Sequence, residues 1–301
     1  MLDLGPFAVH GRFFKGNLHT HCTRSDGVLP VERVVQAYRD GGYDFLSMTD
    51  HFLEKYDFPV TDTRPFRDET FTTLLGAELH APALENGEAW HLVANGLPLD
   101  FAPLQPGETG PELGARAVEA GAFLTLAHPA WYGQSVGDAR AVPAAHAVEI
   151  YNHGCAVGSD RGGGAYILDA LVGEGRRLTA VATDDAHFKE PDAFGGWVHV
   201  KAESLEPEHL LSALKAGHFY ASQGPTIHDL AIDDEAIEVV CSPARSVVAV
   251  GHRSVSAHAL GDGLTRVRLS RERLVKSPYI RITVTDRAGL RAWTNPIFPA
   301  L

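Results

Sequence analysis

The chain has 301 residues, 45% hydrophobic and 21% charged, with 26 Lys and Arg against 38 Asp and Glu for a net charge of −12. This balance excludes a disordered chain and argues against loose electrostatic binding to nucleic acid or an anionic membrane. No apolar run reaches the 18 or so residues of a membrane-spanning helix, and the first ten residues lack the basic flank and apolar stretch of a secretory signal. Three cysteines are too few for a disulfide scaffold, so the expectation is a cytoplasmic protein without a membrane partner.

Val31, Val34, Val35 and Tyr38 recur at i, i+3, i+4 and i+7, the spacing of one buried helix face. Pro30 is placed to start that helix and Gly41-Gly42 to end it. The apolar run Phe45-Leu46-Ser47-Met48 then reads as a strand that stops at Thr49-Asp50-His51. The same succession returns with a helix from about Pro111 to Ala120, a strand over Ala122–Ala127 and the stop His128-Pro129. Ala147–Tyr151 reads as a strand, Ala165–Val172 as a helix, and Leu178–Ala182 as a strand ending at Thr183-Asp184-Asp185. Trp197–Lys201 alternates as a strand and Glu206–Ala216 closes as a helix. Such alternation predicts parallel βα units, with polar residues gathered at the carboxyl ends of the strands, where barrel enzymes build their sites.

After Gly224-Pro225 the pattern becomes short strands over Thr226–Ile232, Ala236–Cys241, Val247–Val250, Thr265–Leu269 and Tyr279–Thr285. Asp233-Asp234, Gly261-Asp262-Gly263 and Gly289 are the expected turns. Two domains follow, 1–224 and a small all-β unit over 225–301, as the length also suggests at roughly 150 residues per domain. With 10 basic and 8 acidic residues the second part is +2, which leaves −14 on the first, together with thirteen of the 16 histidines.

Spacing shows what those histidines are for. His19-Thr20-His21 places two imidazoles on one face of an extended segment, and Asp26 on the following Ser25-Asp26-Gly27 turn can reach back to them. Asp50-His51, Glu78, His91, His128 and Asp185-Ala186-His187 add a candidate at each later strand end. Taken singly, each is as well explained by a cap or a hydrogen-bonded core residue. Taken together, so many ionisable groups in apolar strand ends need partners. Mixed imidazole and carboxylate donors suit zinc, manganese or iron better than magnesium or calcium. Glu149, at the end of another strand, is placed to orient a ligating histidine. Arg161, before the glycine run Gly162–Gly164, is a candidate phosphate clamp, as is Arg24. Cys22 reads as a small buried residue.

In these motifs the chain resembles the PHP (polymerase and histidinol phosphatase) family. The resemblance runs from about His10 to Gly224 and rests on Asn17-Leu18-His19-Thr20-His21 with Ser25-Asp26-Gly27, Thr49-Asp50-His51, Glu78, Leu126-Ala127-His128-Pro129 and Asp184-Asp185-Ala186-His187. It implies an α/β fold, a distorted seven-stranded β/α barrel followed by the small β domain, and phosphoesterase activity at two or three divalent ions. By that resemblance one ion takes His19, His21, Glu78 and Asp185. A second shares Glu78 and takes His91 and His128, and a third takes Asp26, His51 and His187. The expected reaction is hydrolysis of the phosphate ester of a small metabolite, of nucleotide or sugar phosphate type, by metal-bound hydroxide. Glu78 and Asp185 position the metals and Arg161 binds phosphate. Two alternatives stand beside it: a metal-dependent amidohydrolase, disfavoured because no lysine falls at a clear mid-barrel strand end, and a non-catalytic metal-bound interaction module.

Overall fold

A computed structural model describes residues 2–299; Met1, Ala300 and Leu301, at the outer ends of the two expected domains, lie outside the described residues. The first half contains β1 (Arg12–Asn17), α1 (Val31–Asp40), β2 (Phe45–Met48), β3 (His51–Phe52), β4 (Thr72–Ala81), β5 (Trp90–Asn95), α2 (Gly110–Glu119), β6 (Phe123–Leu126) and α3 (Val136–Arg140). Then come β7 (Ala147–Asn152), α4 (His153–Ser159), α5 (Ala165–Gly173), β8 (Thr179–Thr183), β9 (Trp197–Ala202), α6 (Pro207–Lys215) and β10 (Phe219–Ser222). The last part is β11 (Ile227–Ile232), β12 (Ala236–Val250), β13 (Ser256–Ser270), β14 (Arg281–Thr285) and β15 (Arg291–Thr294). Among the described residues no helix is long and apolar enough to cross a membrane.

The fold is mixed α/β. Seven strands pair in the order β1-β2-β4-β5-β6-β7-β8, parallel except that β5 runs against both neighbours. No ladder joins β8 back to β1. What joins them is a single parallel bridge, Thr20 with Ala186, formed just beyond the strand ends. His21 N donates to Ala186 O and Asp185 N to His19 O, each at 2.9 Å. The carboxyl ends are therefore laced into a ring while the lower seam is filled by other means. There Asn295 accepts from Ala180 N at 2.9 Å and donates to Gly217 O and Phe219 O at 3.0 and 2.9 Å.

The strands after Gly224 do not form a sheet of their own. β10 pairs with β9 on one side and β15 on the other, so the sheet continues from β1 through β9, β10, β15, β14 and β12 to β11. On the helical side Arg281, 6% exposed, holds Asp169 of α5 with two contacts of 2.8 and 2.6 Å. The reversal expected at Gly261-Asp262-Gly263 falls elsewhere. The chain runs through these residues inside β13, opposite register shifts in β12, and turns at 251–255. Glycines relax a strand as readily as they reverse it. Likewise Ala236–Cys241 and Val247–Val250 are two ends of one strand, β12.

β1, which leads into His19 and His21, is packed against β9 along Arg12–Gly16. On β9 His199 accepts a hydrogen bond on Nε2 from Trp197 Nε1 at 2.9 Å, with its ring stacked on Tyr220 of β10 at 4.8 Å. Burial, and secondarily the Lys15 ammonium, lower its pKa to about 4. The unfolded chain, with histidine near 6.5, takes up the proton first. His199 therefore adds stability above pH 6.5 that is lost as the pH falls towards 4. The urea midpoint of the wild type should fall more steeply between pH 6.5 and 4.5 than that of His199→Phe.

Candidate metal centre

Register delivers the donor groups. His51 on β3 sits opposite Glu78 on β4, and across the next ladder His80 faces His91 of β5. His19 and His21 extend β1, His128 follows β6, and Asp185 and His187 follow β8. Two of these residues sit in the left-handed region, His128 at φ 25° and Asp185 at φ 55°. Backbone of that kind costs roughly 1–3 kcal/mol for a non-glycine residue and persists where the surroundings impose it. Here they do so by hydrogen bonds, from His128 N to Glu149 Oε2 at 2.7 Å and from Asp185 N to His19 O at 2.9 Å.

The Glu78 carboxylate is fully buried. On Oε1 stand His91 Nδ1 at 2.7 Å and His128 Nε2 at 3.0 Å. Facing Oε2 are His51 Nδ1 at 2.6 Å, His19 and His21 Nε2 at 3.6 Å, and His80 Nε2 at 3.7 Å. Asp185 Oδ1 lies 2.9 Å from His21 Nε2 and 3.2 Å from His19 Nε2. Asp26 Oδ1 lies 3.1 Å from His187 Nε2 and 3.3 Å from His51 Nε2. Donor atoms fall within 4.8 Å of one another in four groups: His21-Asp26-His51-His187, His19-His21-Asp185, His19-Glu78-His128 and His51-Glu78-His80.

Short distances alone do not distinguish a hydrogen-bonded cluster from a metal centre. Alignment does. His19 Nε2, Glu78 Oε2 and Asp26 Oδ1 are buried without a hydrogen-bond partner despite these neighbours, because the short contacts do not meet hydrogen-bond geometry. Unpartnered buried polar atoms are rare and call for an explanation. Imidazole and carboxylate donors gathered this closely fit divalent ions of the zinc, manganese and iron type.

Electrostatics follow from the same contacts: burial opposes protonation of His19 and His128, yet the neighbouring carboxylates raise both. Burial acts to raise the carboxyl pKa of Glu78 and Asp185, but the surrounding histidines hold both well below the usual range. Burial, aided by His51 and His187, lowers His21 to about 4, and burial lowers His91 to about 4, so both rings are neutral donors at pH 7. Burial opposes protonation of His51 as well, yet Glu78 and Asp26 push it up to about 10. A proton held there is one that a cation displaces on binding.

A second layer fixes the first. Glu149 Oε1 sits 2.7 Å from His19 Nδ1 and accepts from Thr183 Oγ1 at 2.8 Å, while Oε2 accepts from Asn152 Nδ2 at 2.9 Å. Asp50 accepts from Ser25 Oγ and Thr61 Oγ1 at 2.7 and 2.6 Å and from the buried Cys22 thiol at 3.0 Å. Sequence reasoning passed over His80. Its signal was present, since Glu78 and His80 stand at i and i+2 on a strand and must share a face.

A cavity of about 410 Å³ opens over the cluster, lined among others by Asp26, His51, Glu78, His91, His128, Trp131, Asp185, His187 and Lys189. Lys189, also missed, holds Asp26 Oδ2 at 2.9 Å. Arg161 stands outside that lining, exposed, with one guanidinium nitrogen 3.3 Å from Trp131 O. Arg24 is exposed and likewise outside it.

No family model matches the chain, and no curated protein matches it. Among solved structures it shares its fold with a chain from Bacteroides vulgatus ATCC 8482, described as a two-domain protein containing a predicted PHP-like metal-dependent phosphoesterase. The TM-score is 0.54 at 18% identity, over 97% of this chain and 99% of that one. A chain from Bifidobacterium adolescentis ATCC 15703, described as a candidate metal-dependent phosphoesterase, aligns over 58% of this chain and 89% of its own with a TM-score of 0.45 and 14% identity. The resemblance to the PHP family carried by the histidine motifs is thus met by a fold shared end to end with a chain so described.

Glu78 belongs to two donor groups, so Glu78→Gln should deplete ions from more than one position. His187→Ala should deplete one. Elemental analysis of protein purified without chelator or metal-binding tag measures both.

Proposed function

We propose that this protein is a metal-dependent phosphoesterase acting on a small phosphorylated metabolite, of nucleotide or sugar phosphate type. The observation that carries the reading is the set of buried polar atoms without hydrogen-bond partners on Glu78 and Asp26, which line an open cavity, and on His19 beside them. In this reading His19, His21, Glu78 and Asp185 hold one divalent ion, Glu78, His91 and His128 a second, and Asp26, His51 and His187 a third. Manganese, zinc and iron all suit these donors. Such ions supply a nucleophile at neutral pH and neutralise phosphoryl charge.

The chain's own residues do the rest. Glu78 and Asp185, ionised by their histidine surroundings, fix the spacing of the groups. Glu149 holds His19 by its other nitrogen. Arg161, with guanidinium donors to spare beside Trp131, pairs with substrate phosphate from the rim. The cavity lies within the size range of small-molecule sites. We read β1, β2 and β4 to β8 with their helices as a distorted seven-stranded barrel within residues 1–224, and 225–301 as a second, β-rich domain that braces it. Three free, buried cysteines accord with a reducing, cytoplasmic setting.

Turnover of p-nitrophenyl phosphate should disappear on metal stripping and return with manganese, zinc or iron; activity that survives stripping refutes the proposal. Asp185→Asn should lower kcat by about 10²-fold or more, since it removes a ligand of an ion whose charge stabilisation is worth several kcal/mol, with the unfolding midpoint little changed. Arg161→Ala should raise KM with kcat nearly unchanged, since binding made equally in ground and transition states shows in KM alone.

A further inference from the structure

His51 has two ring nitrogens facing different ways. Nε2 lies 3.3 Å from Asp26 Oδ1, in the donor group that also contains His187. Nδ1 has two acceptors within reach, Glu78 Oε2 at 2.6 Å and His80 Nε2 at 2.9 Å. The nearer one is not aligned for a hydrogen bond. Glu78 Oε2 remains without a partner, whereas the contact with His80 meets hydrogen-bond geometry. Whichever nitrogen of a ligating histidine carries the proton is decided by the bond the other nitrogen makes.

We propose that His80 is a positioning residue: its Nε2 accepts the Nδ1 proton of His51, so that His51 presents the Nε2 lone pair to the group formed with Asp26 and His187, and Glu78 Oε2 stays free for an ion. The inference rests on the metal-centre reading above. Several features make His80 suited to the task. It is 6% exposed, its ring meets His51 at 4.9 Å and His91 edge-on at 4.3 Å, and cross-strand pairing with His91 fixes its backbone. On its far side it lines a largely apolar hollow with Leu53, Pro82, Ala89 and Leu104, away from the cavity over the cluster. It therefore works through His51 and not on substrate.

The test compares His80→Leu, which removes the acceptor, with His80→Gln, whose side-chain carbonyl can restore it. In the metal-loaded full-length protein, release of one ion per chain to a chelator should be about 10- to 100-fold faster in His80→Leu, the range for loss of a group that orients a ligand. His80→Gln should recover most of the wild-type rate, and unfolding midpoints of both variants confirm that they fold. Wild-type release kinetics in His80→Leu overturn the proposal. Equal loss in both variants also overturns it, because His80 would then be a ligand itself. Nitrogen-15 shifts of the His51 ring provide a readout independent of metal. Read where the ring holds a single proton, that proton on Nδ1 in the wild type, lost from that nitrogen in His80→Leu, supports the proposal; a single proton on Nε2 in the wild type overturns it. A wild-type chain that binds no divalent ion refutes the metal-centre reading, while the ring shifts still decide the hydrogen bond.

Discussion

The centre of this protein is organised by one carboxylate. Glu78 is wholly buried, and six imidazole nitrogens lie within 3.7 Å of its two oxygens. A charge in that position, after relaxation, costs several kcal/mol unless it is compensated. The compensation comes from segments far apart in sequence: the run beyond β1, the start of β3, β4 itself, the start of β5 and the run beyond β6. The histidines in turn need the carboxylate. His21 stacks within 4.2 Å of His187 and 4.4 Å of His51, ring centre to ring centre. Such crowding of basic groups is tolerable only around negative charge.

Around that centre the structure alternates polar and apolar constraint. The second tier of carboxylates is held by bonds from strand ends and backbone. Asp184, raised to about 6 by burial, accepts from Tyr38 Oη at 2.7 Å and from the amides of Phe194, Gly195 and Gly196 at 2.8 Å. Asn17 Oδ1 accepts from Asp184 N at 3.0 Å, and its amide donates to His19 O at 2.9 Å. Thus the chain after β8 is registered against the chain after β1 by side chains, at the point where no ladder does it. The extension of the sheet through β10 and β15 supplies the corresponding constraint lower down. Asn295 reaches the edge of β8 from beyond β15 and closes that seam with three hydrogen bonds.

How much of this was legible beforehand depended on how local its cause was. The helix over Val31–Asp40 buries Val34, Val35 and Tyr38, the spacing that announced it. β6, β7 and β8 lie where short apolar runs placed them. β4 was seen only around Glu78, because Thr72–Ala81 is buried on both faces and has no alternation to read. The antiparallel β5 was hidden behind the expectation of uniform βα alternation. The expected metal-ligating residues are brought to one cavity and its floor, since metal-ligand spacing is written in residue type, whereas Arg161 and Arg24 stand outside its lining. Positions whose importance is purely geometric were not legible: the positive φ of His128 and Asp185, and the cross-strand partnership of His80 with His91.

The division between what can be read and what cannot has a physical basis. A donor atom must be a particular chemical group, so selecting His, Asp or Glu at a strand end leaves a mark in the sequence. A residue that orients a donor can be any group with the right hydrogen-bonding atom in the right place, and only the fold defines that place. Between these extremes, Glu149 and His80 differ in how far the sequence hints at that place. Glu149 ends a strand within a distinctive run, so a bond to some ligating histidine could be anticipated, and the structure gives it His19. His80 follows Glu78 in an apolar stretch that is read first as core. Only the alignment of its Nε2 with His51, set against the unpartnered Oε2 of Glu78, separates it from an ordinary buried histidine.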